Sequence, residues 1–579
     1  MRTPTLQYLY LQKPITMVIV ICIISVLPWI GLGDFSTKGE PREAAVAVSM
    51  LETGNWVLPQ VYANEFAYKP PLAHWLMAVA SLPQGYVSEF TSRLPSALAF
   101  IILIGFTLVF FGKRLRFQQA FIATLLLITC IEIHRAAMTT RVDMLLTTFI
   151  VIGLYQLYRW EDKLELKGVP IAIPALLGCA VLTKGPVGII LPLFVFGVYL
   201  LMLRKYSYLV IFKALLYAGI SSIFLPLLWY VAAWKQGGDT FLNVMLAENF
   251  GRFFHLSTPD IHYNLGHENG VWYNFMTLAA GFVPWTIFFF FSLFGLKLHK
   301  PEKSVKEILA STWNNIRSME KEKLFSLVAL VCIIFFYSIP SSKRSVYLMP
   351  AYPFIAIFLA QYTLYITEYR TKVTRVFAAF MASITAVVVI AVALTMAGAI
   401  DPVKIASQYT SRQSTLETVE LVSNMFAYPC GLTICILIVL LAILATVYYQ
   451  MFKKINIKIL YGLVGSEMCI RDSLATVYYQ MFKKINIKIL YATIALAFAI
   501  NLLIDGVVMR GIRQGSSARP FAKQVQKEYP LDDMNMYVMN DLKTYANLYG
   551  LNFYLGNKFH NFGQEQPVSG FFFCTVKDL

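Results

Sequence analysis

Residues 39–75 are GEPREAAVAVSMLETGNWVLPQVYANEFAYKPPLAHW, and they lie between apolar segments at residues 15–33 and 92–112. Apolar stretches of about 17–25 residues recur along the rest of the chain, and each is long enough to cross a hydrocarbon core of roughly 30 Å. This alternation predicts a chain that crosses a membrane many times. It also places acids, bases and a Lys-Pro-Pro motif just where the chain leaves the bilayer.

The composition agrees with a membrane protein. Of the 579 residues, 58% are hydrophobic and 14% are charged, whereas charged residues make up roughly 25% of a soluble domain. The net charge of +17 comes largely from Lys and Arg in short loops between apolar segments, as the positive-inside rule requires of cytoplasmic loops. We therefore predict an all-α polytopic membrane protein that binds membrane lipid and no nucleic acid.

The apolar periodicity predicts about thirteen transmembrane helices. Their approximate cores are residues 15–33, 92–112, 119–134, 143–159, 168–183, 185–203, 208–231, 275–297, 323–340, 346–365, 376–398, 428–449 and 489–509. With the N-terminus in the cytoplasm, basic loops such as residues 113–117 and 299–306 fall on the cytoplasmic side. We expect a multi-pass protein of a bacterial inner membrane in this orientation.

The same orientation divides the chain into domains. The transmembrane domain is expected over residues 1–509, with a first outer loop at 34–91 and a second outer loop at 232–274. The tail at 510–579 mixes helix-like and strand-like segments and predicts a small extracytoplasmic α/β domain.

One stretch of the chain occurs twice. LATVYYQMFKKINIKILY stands at residues 444–461 and again, letter for letter, at 474–491, separated by GLVGSEMCIRDS. Structural repeats keep a pattern while their letters drift, and a lone pair is too few for a repeat fold. GSEMCIRDS also resembles translated adaptor sequence. We interpret residues 462–491 as an assembly artefact, with a cytoplasmic regulatory loop as the alternative.

The first outer loop predicts a helix at the membrane surface. Pro41 suits the first turn of a helix, and Gly54 suits its end. Such a helix would carry Glu40, Arg42 and Glu43 to the mouth of whatever cavity the bundle encloses. On these residues alone, a solvated helix start and one wall of a site are both open.

Other ionisable residues recur at the same outer edge. Arg141 and Asp143 are predicted at the start of the fourth span, Lys184 at the turn between spans five and six, and Lys343 after span nine, with Tyr347 close behind. Ionisable groups at membrane depth are costly and usually face a bundle interior or a wet cavity. Two carboxylates and several cations on one side of a membrane form a composition suited to binding an anionic lipid headgroup and to acid–base chemistry beside it.

These motifs resemble a known family. GEPREAAVAVSML, KPPLAHW, SRLPSAL, TRVDMLLTTF, LTKGPVGIILP, ENFGRF and SSKRSVYLMPAYP look like the integral-membrane glycosyltransferases that use polyprenyl-phosphate sugars. The similarity is to the lipid A aminoarabinose transferases of glycosyltransferase family 83 and covers about residues 10–360. It implies a GT-C-type fold with juxtamembrane helices outside. It also implies inverting transfer of a sugar from a polyprenyl-phosphate donor to a lipid A-like, glycan or protein acceptor.

The resemblance also implies roles for individual residues. The catalytic carboxylates would be Glu40 and Asp143, with Glu43 as the substitute if the role has moved. The residues that would bind the substrates are Lys69, Arg42, Arg141, Lys184, Arg252, Lys343 and Tyr347. In this scheme Lys69 of the Lys-Pro-Pro motif contacts the lipid phosphate.

Two departures from the family pattern concern the acids. Gly39 stands where relatives often carry Asp, and Tyr68 stands where relatives often carry a Glu that contributes to a metal site. His267, in HENGVWYN, matches the expected partner of that Glu. The resemblance thus implies a divalent cation with His267 as a ligand, while the missing Glu leaves no definite cofactor. His74 follows the Lys-Pro-Pro motif at helical spacing, and we interpret it as structural.

The rival class is a transporter or flippase of lipid-linked sugars or polysaccharides. Transporters of this size often show inverted repeats and broken helices near the bilayer midplane. The sequence has no such visible symmetry, and its charges gather at one face. It also lacks a glycine-rich nucleotide-binding loop, which favours a lipid-linked donor. The enzyme is therefore the favoured hypothesis.

Overall fold

A computed structural model describes most of the chain. The described residues are 13–61, 65–67, 69–162, 164, 168–246, 269–294, 304–340, 342–452, 485–531, 535–538 and 542–574. Arg252, His267 and residues 462–484 of the duplicated block lie outside them.

Helices dominate the described chain. In chain order they are α1 Pro14–Val26, α2 Gly39–Thr53, α3 Leu72–Ser81, α4 Glu89–Gly112, α5 Phe117–Thr129, α6 Ile131–Ala137, α7 Val142–Glu161, α8 Ala172–Lys184, α9 Val187–Leu203, α10 Tyr208–Leu246, α11 Trp272–Gly281, α12 Trp285–Leu293, α13 Val305–Arg317, α14 Lys321–Ser338, α15 Tyr352–Tyr369, α16 Thr371–Met396, α17 Pro402–Ser407, α18 Gln413–Ala427, α19 Gly431–Phe452, α20 Ile485–Leu503, α21 Met509–Gly515, α22 Arg519–Glu528, α23 Leu542–Tyr554 and α24 Phe562–Glu565. Short 3-10 segments lie at Leu82–Gln84 and Ser345–Ala351, and a π-helical turn at Ile504–Val508 joins α20 to α21.

The helices are those of a multi-pass membrane protein. Among the described residues, six helical stretches are long and apolar enough to cross a membrane, or eight if each of two sharply bent pairs is one span. The bent pairs are α5 with α6, at 65°, and α11 with α12, at 104°. The shorter helices α1, α8 and α9 are also apolar. The expected all-helical membrane fold is confirmed, while the count of about thirteen spans stays a prediction.

The first outer loop folds back onto the bundle. The helix predicted there is present as α2, which begins at Gly39, two residues before Pro41, and ends where Gly54 takes a left-handed φ of 69°; its position along the membrane surface stays a prediction. The strands β1 Gln60–Val61 and β2 Glu65–Phe66 form a short antiparallel pair. The Lys-Pro-Pro motif then leads into α3, which packs against α2, α4 and α8.

Helix α4 begins at a capping box, and its Arg93 contacts Glu40 of the first outer loop. Ser88 accepts a hydrogen bond from the backbone N–H of Thr91, and the Thr91 side chain is in turn bonded to the backbone N–H of Ser88. This reciprocal arrangement satisfies donors that a helix start would otherwise leave unpaired. It fixes the register at which Arg93, one turn into α4, meets the first outer loop.

The C-terminal residues form a small α/β unit. Three short parallel strands, β3 Met536–Val538, β4 His560–Asn561 and β5 Phe571–Phe573, are ordered β4-β3-β5. The preceding helical run continues to Gly515, six residues past the predicted boundary at 509. Arg519 lies 2.9 Å from the Asp34 carboxylate, which ties this unit to the start of the first outer loop.

Candidate active site

Glu40 on α2 forms a closed internal pair with Arg93 on α4. Arg93 Nε donates to Glu40 Oε1 at 2.9 Å, and the backbone N–H of Thr140 donates to the same oxygen at 3.2 Å. Glu40 is only 1% exposed and Arg93 is fully buried. Arg93 Nη1 also donates to the backbone carbonyls of Ile30 and Gly33 at 2.8 and 3.0 Å. The structure thus places Glu40 in a clamp that joins three segments of backbone.

Glu43, one turn along the same helix, lies in an open cluster. Its Oε1 accepts from Lys69 Nζ and, at 3.1 Å, from Arg42 Nη2. Its Oε2 lies 3.0 Å from His74 Nε2. The carboxylate is buried, but the side chains of Lys69 and Arg42 are 20% and 31% exposed. The structure therefore brings three of the predicted site residues together and adds His74 to them.

The surroundings of this cluster favour an ionised Glu43 carboxylate and make the Lys69 ammonium easier to deprotonate. Burial by itself would raise the pKa of Glu43, but the Lys69 ammonium, the hydrogen bond with His74 and the Arg42 guanidinium together hold that pKa well below its ordinary value. Burial lowers the pKa of Lys69 to about 8, against the opposing charges of Glu43 and Asp143. Asp143 therefore acts in the same electrostatic neighbourhood as Lys69.

Asp143 forms a second cluster at the start of α7. Its carboxylate accepts from Lys184 Nζ, and that ammonium lies 4.1 Å from the ring centre of Tyr347, a distance typical of a cation–π contact. Arg141 reaches α2, because a Cβ built on Gly39 would lie 3.7 Å from its Nη2. Four more of the predicted residues are thus at the same face as Glu43 and Lys69.

Lys343 lies in a different setting. Its ammonium is buried and donates to the backbone carbonyls of Pro340 and Asn269 at 2.6 and 3.1 Å. It closes the turn after α14 and does not join either cluster. Arg252 and His267 fall outside the described residues. Within the ranges that the structure describes, no group of three or more His, Cys, Asp or Glu side chains is arranged to hold a metal ion.

A tight cleft opens beside Lys69 and His74. In this structure it is too narrow to hold a water molecule, and its apolar walls include Val57, Leu58 and Trp229. The Trp229 indole on α10 donates to the Val57 carbonyl at 2.8 Å, so α10 holds this wall in position. The arrangement sets an ammonium and an imidazole against an apolar surface, which suits a ligand with a charged headgroup and an apolar body.

Two residues of the site were missed or undervalued from the sequence. Arg93 lies in the quoted motif SRLPSAL and is the only charged residue of the predicted core at 92–112, which marks it as a residue with a buried partner. His74 was interpreted as structural, yet it contacts Glu43 directly. No sequence signal links His74 to Glu43, since 31 residues separate them in the chain.

Comparison with known proteins matches one family over part of the chain and one fold over nearly all of it. Residues 68–230 match the family described as dolichyl-phosphate-mannose-protein mannosyltransferase. The region matched includes Lys69, His74, Asp143 and Lys184 and begins after α2.

Over nearly its whole length the chain also superposes on ArnT from Cupriavidus metallidurans bound to undecaprenyl phosphate. That superposition has a TM-score of 0.63 at 17% identity and covers 95% of this chain and 85% of the other. The chain has a GT-C-type fold. The family resemblance predicted from the motifs is thereby confirmed.

Curated relatives match part of the chain in sequence. An arabinosyl transferase for undecaprenyl phosphate-α-4-amino-4-deoxy-L-arabinose from Aeromonas salmonicida is 23% identical over 327 residues, which are 55% of this chain and 54% of the relative. An uncharacterized protein of Aquifex aeolicus is 26% identical over 356 residues, 61% of this chain and 64% of the relative. The chain thus spans less than two thirds of the length of these relatives.

Proposed function

We propose that this GT-C-type protein transfers a sugar from a polyprenyl-phosphate donor to an acceptor at the outer face of a bacterial inner membrane. The observation that carries the proposal is the pair of carboxylate–cation clusters around Glu43 and Asp143. They gather Lys69, Lys184 and Arg42, and Lys69 lines an apolar cleft. The relative from Aeromonas salmonicida is named as an arabinosyl transferase for undecaprenyl phosphate-α-4-amino-4-deoxy-L-arabinose, which supports this proposal.

The cations are proposed to stabilise the negative charge that the reaction leaves on the lipid phosphate. Breaking the bond between the sugar and the lipid phosphate leaves negative charge on that phosphate, and preorganised cations lower the barrier by stabilising it. Lys69 is the proposed phosphate contact, because it is partly exposed beside the cleft. Arg42, Arg141 and Lys184 lie behind it as further positive charge, and Arg252 stays a proposed contact.

The carboxylates are proposed to assist the attack of the acceptor on the sugar. A single displacement inverts the anomeric centre, and a hydroxyl acceptor must lose its proton to a base within hydrogen-bond reach. Glu43 is the carboxylate proposed to serve this proton transfer, and Asp143 is proposed to stabilise positive charge that develops on the sugar. Glu43 lies four residues after Gly39, on the same face of α2, and so restores the negative charge that the family pattern has at Gly39. Glu40 is proposed as a structural residue.

The donor sugar is proposed as a pentose or hexose, and the acceptor as a lipid A-like lipid, a glycan or a protein. The protein is proposed to lie in the membrane with its N-terminus in the cytoplasm and its C-terminal unit outside, because the basic loops then face the cytoplasm. This orientation puts α2, the Lys-Pro-Pro loop and the C-terminal unit on the same, outer side.

The test is sugar transfer in liposomes. The purified protein is reconstituted with a radiolabelled polyprenyl-phosphate sugar and a glycolipid acceptor, and labelled product is measured together with release of polyprenyl phosphate. We expect both products from the wild-type protein and a clear loss of turnover for Asp143→Asn, because the amide removes the negative charge proposed to stabilise the sugar in the transition state. Movement of intact donor across the bilayer without release of phosphate would instead identify a flippase.

A further inference from the structure

His74 has one ring nitrogen that the proposed function leaves unexplained. The residue is 1% exposed and lines the cleft beside Lys69. Its Nε2 contacts Glu43 at 3.0 Å, whereas its Nδ1 is buried and has no hydrogen-bond partner among the described residues. Nearly all buried polar atoms in proteins have a partner, so an orphan atom calls for an explanation. A ligand that widens the adjoining cleft would supply one.

The contact with Glu43 decides which nitrogen carries the proton. Glu43 is an ionised carboxylate among Lys69, Arg42 and His74, and an ionised carboxylate has no proton to donate. The proton of the Nε2 contact therefore belongs to the imidazole, and neutral His74 has its lone pair on Nδ1. A carboxylate that orients an imidazole in this way is the arrangement that makes a histidine a general base.

We infer that His74 is the general base of the transfer reaction, that Glu43 is its positioning residue, and that the acceptor group is an alcohol. The inference rests on the proposed function and assigns the acceptor chemistry of the same site. A phosphate acceptor is already nucleophilic at neutral pH and would need no base, whereas an alcohol gives up its proton only as it attacks.

The step balances as a single displacement. The acceptor hydroxyl oxygen forms a bond to the anomeric carbon while its proton passes to His74 Nδ1. The bond from that carbon to the phosphate oxygen breaks, and its electron pair stays on the phosphate beside Lys69. The products are the inverted glycoside, polyprenyl phosphate and a protonated His74, which returns its proton to solvent.

The two oxygens of Glu43 then serve the two halves of the reaction. Oε1 holds Lys69 and Arg42, which face the leaving phosphate, and Oε2 holds His74, which faces the acceptor. Asp143 is a weaker candidate for the base, because its carboxylate already accepts from Lys184. Its negative charge stays available to stabilise positive charge that develops on the sugar.

The experiment compares two acceptors on the reconstituted full chain. One is a glycolipid with a free hydroxyl, and the other is the same glycolipid carrying a phosphate monoester. For His74→Asn and His74→Gln we expect turnover on the alcohol to fall by roughly 10²–10⁴, with unchanged binding of polyprenyl phosphate. Glu43→Gln should lower kcat on the alcohol as well, and added imidazole should restore part of the activity of His74→Ala.

The matched control is His560→Asn. His560 also pairs with a carboxylate, Glu565, at 3.0 Å, but on the C-terminal unit, so this variant should keep parental turnover. Parental turnover on the alcohol in both His74→Asn and His74→Gln would overturn the inference while the proposed function stands. The inference would also be overturned if both variants lost polyprenyl phosphate binding and their turnover fell equally on the two acceptors. That result would indicate a structural role for His74. No transfer by the wild-type protein to any acceptor would refute the proposed function itself.

Discussion

Glu40 and Glu43 lie three residues apart on the same helix and have opposite surroundings. Glu40 faces a fully buried arginine that is held by the backbone carbonyls of Ile30, Gly33 and Asp34, where the chain enters the first outer loop. Glu43 faces two partly exposed cations and a histidine at the edge of a cleft. This difference is why we propose a chemical role for Glu43, whose partners are partly exposed, and a structural role for Glu40. The following predictions test that contrast.

The largest effect is expected on activity. Glu43→Gln removes the charge that orients His74 and balances Lys69, so turnover should fall by roughly 10²–10⁴ at normal membrane insertion. Glu40→Gln should lose less turnover in the fraction that folds, because Glu40 acts only through the backbone that it holds. The measurement is turnover per inserted protein for both variants. Equal loss in the two variants would show that the closed pair and the open cluster are not functionally distinct.

A smaller effect, on stability, is expected from breaking the closed pair. Arg93→Met leaves Glu40 as an uncompensated buried charge, which costs about 3–5 kcal/mol. The double variant Arg93→Met with Glu40→Leu should regain much of that stability, since replacing both members of a buried pair by apolar residues is often neutral. Thermal unfolding in detergent measures both. A double variant that is less stable than Arg93→Met would contradict the clamp.

The next effect is a pH dependence of donor use. Since burial lowers the pKa of Lys69 to about 8, Lys69 is an ammonium below that pH and neutral above it. We therefore expect kcat/KM for the donor to fall as pH rises through about 8, because kcat/KM reports groups of the free enzyme. Lys69→Ala should be slow at every pH. Lys69→Arg should recover part of the rate and lose the fall, because guanidinium stays charged.

The smallest effect is expected from the duplicated block. Helix α19 uses the first half of the first copy, and α20 begins within the second copy at Ile485. Deleting residues 462–491 joins Tyr461 to Ala492 and places the identical letters INIKILY where α20 begins. The shortened chain should insert and transfer sugar at least as well as the full chain. Normal insertion with lost activity would favour the regulatory loop.

The sequence by itself determined the class of protein and much of the site's composition. Apolar runs long enough to span a bilayer are typical of transmembrane segments, so a membrane fold follows from local pattern alone. Helix α2 was predictable because Pro41 and Gly54 mark its ends through backbone preferences that need no tertiary partner. Asp143 and Lys184 were recognisable because charges at membrane depth are rare and costly.

Only the tertiary structure decided which charge pairs with which. Glu40 and Glu43 have the same side chain on the same helix, and nothing local to α2 assigns Arg93 to one and Lys69 to the other. That choice comes from the tertiary packing that brings Arg93 of α4 to Glu40 and from the path of the Lys-Pro-Pro loop, which brings Lys69 to Glu43. For the same reason His74 looked structural from its spacing. Its imidazole becomes a candidate base only because the fold brings Glu43 to one ring nitrogen and leaves the other without a protein partner in the described chain.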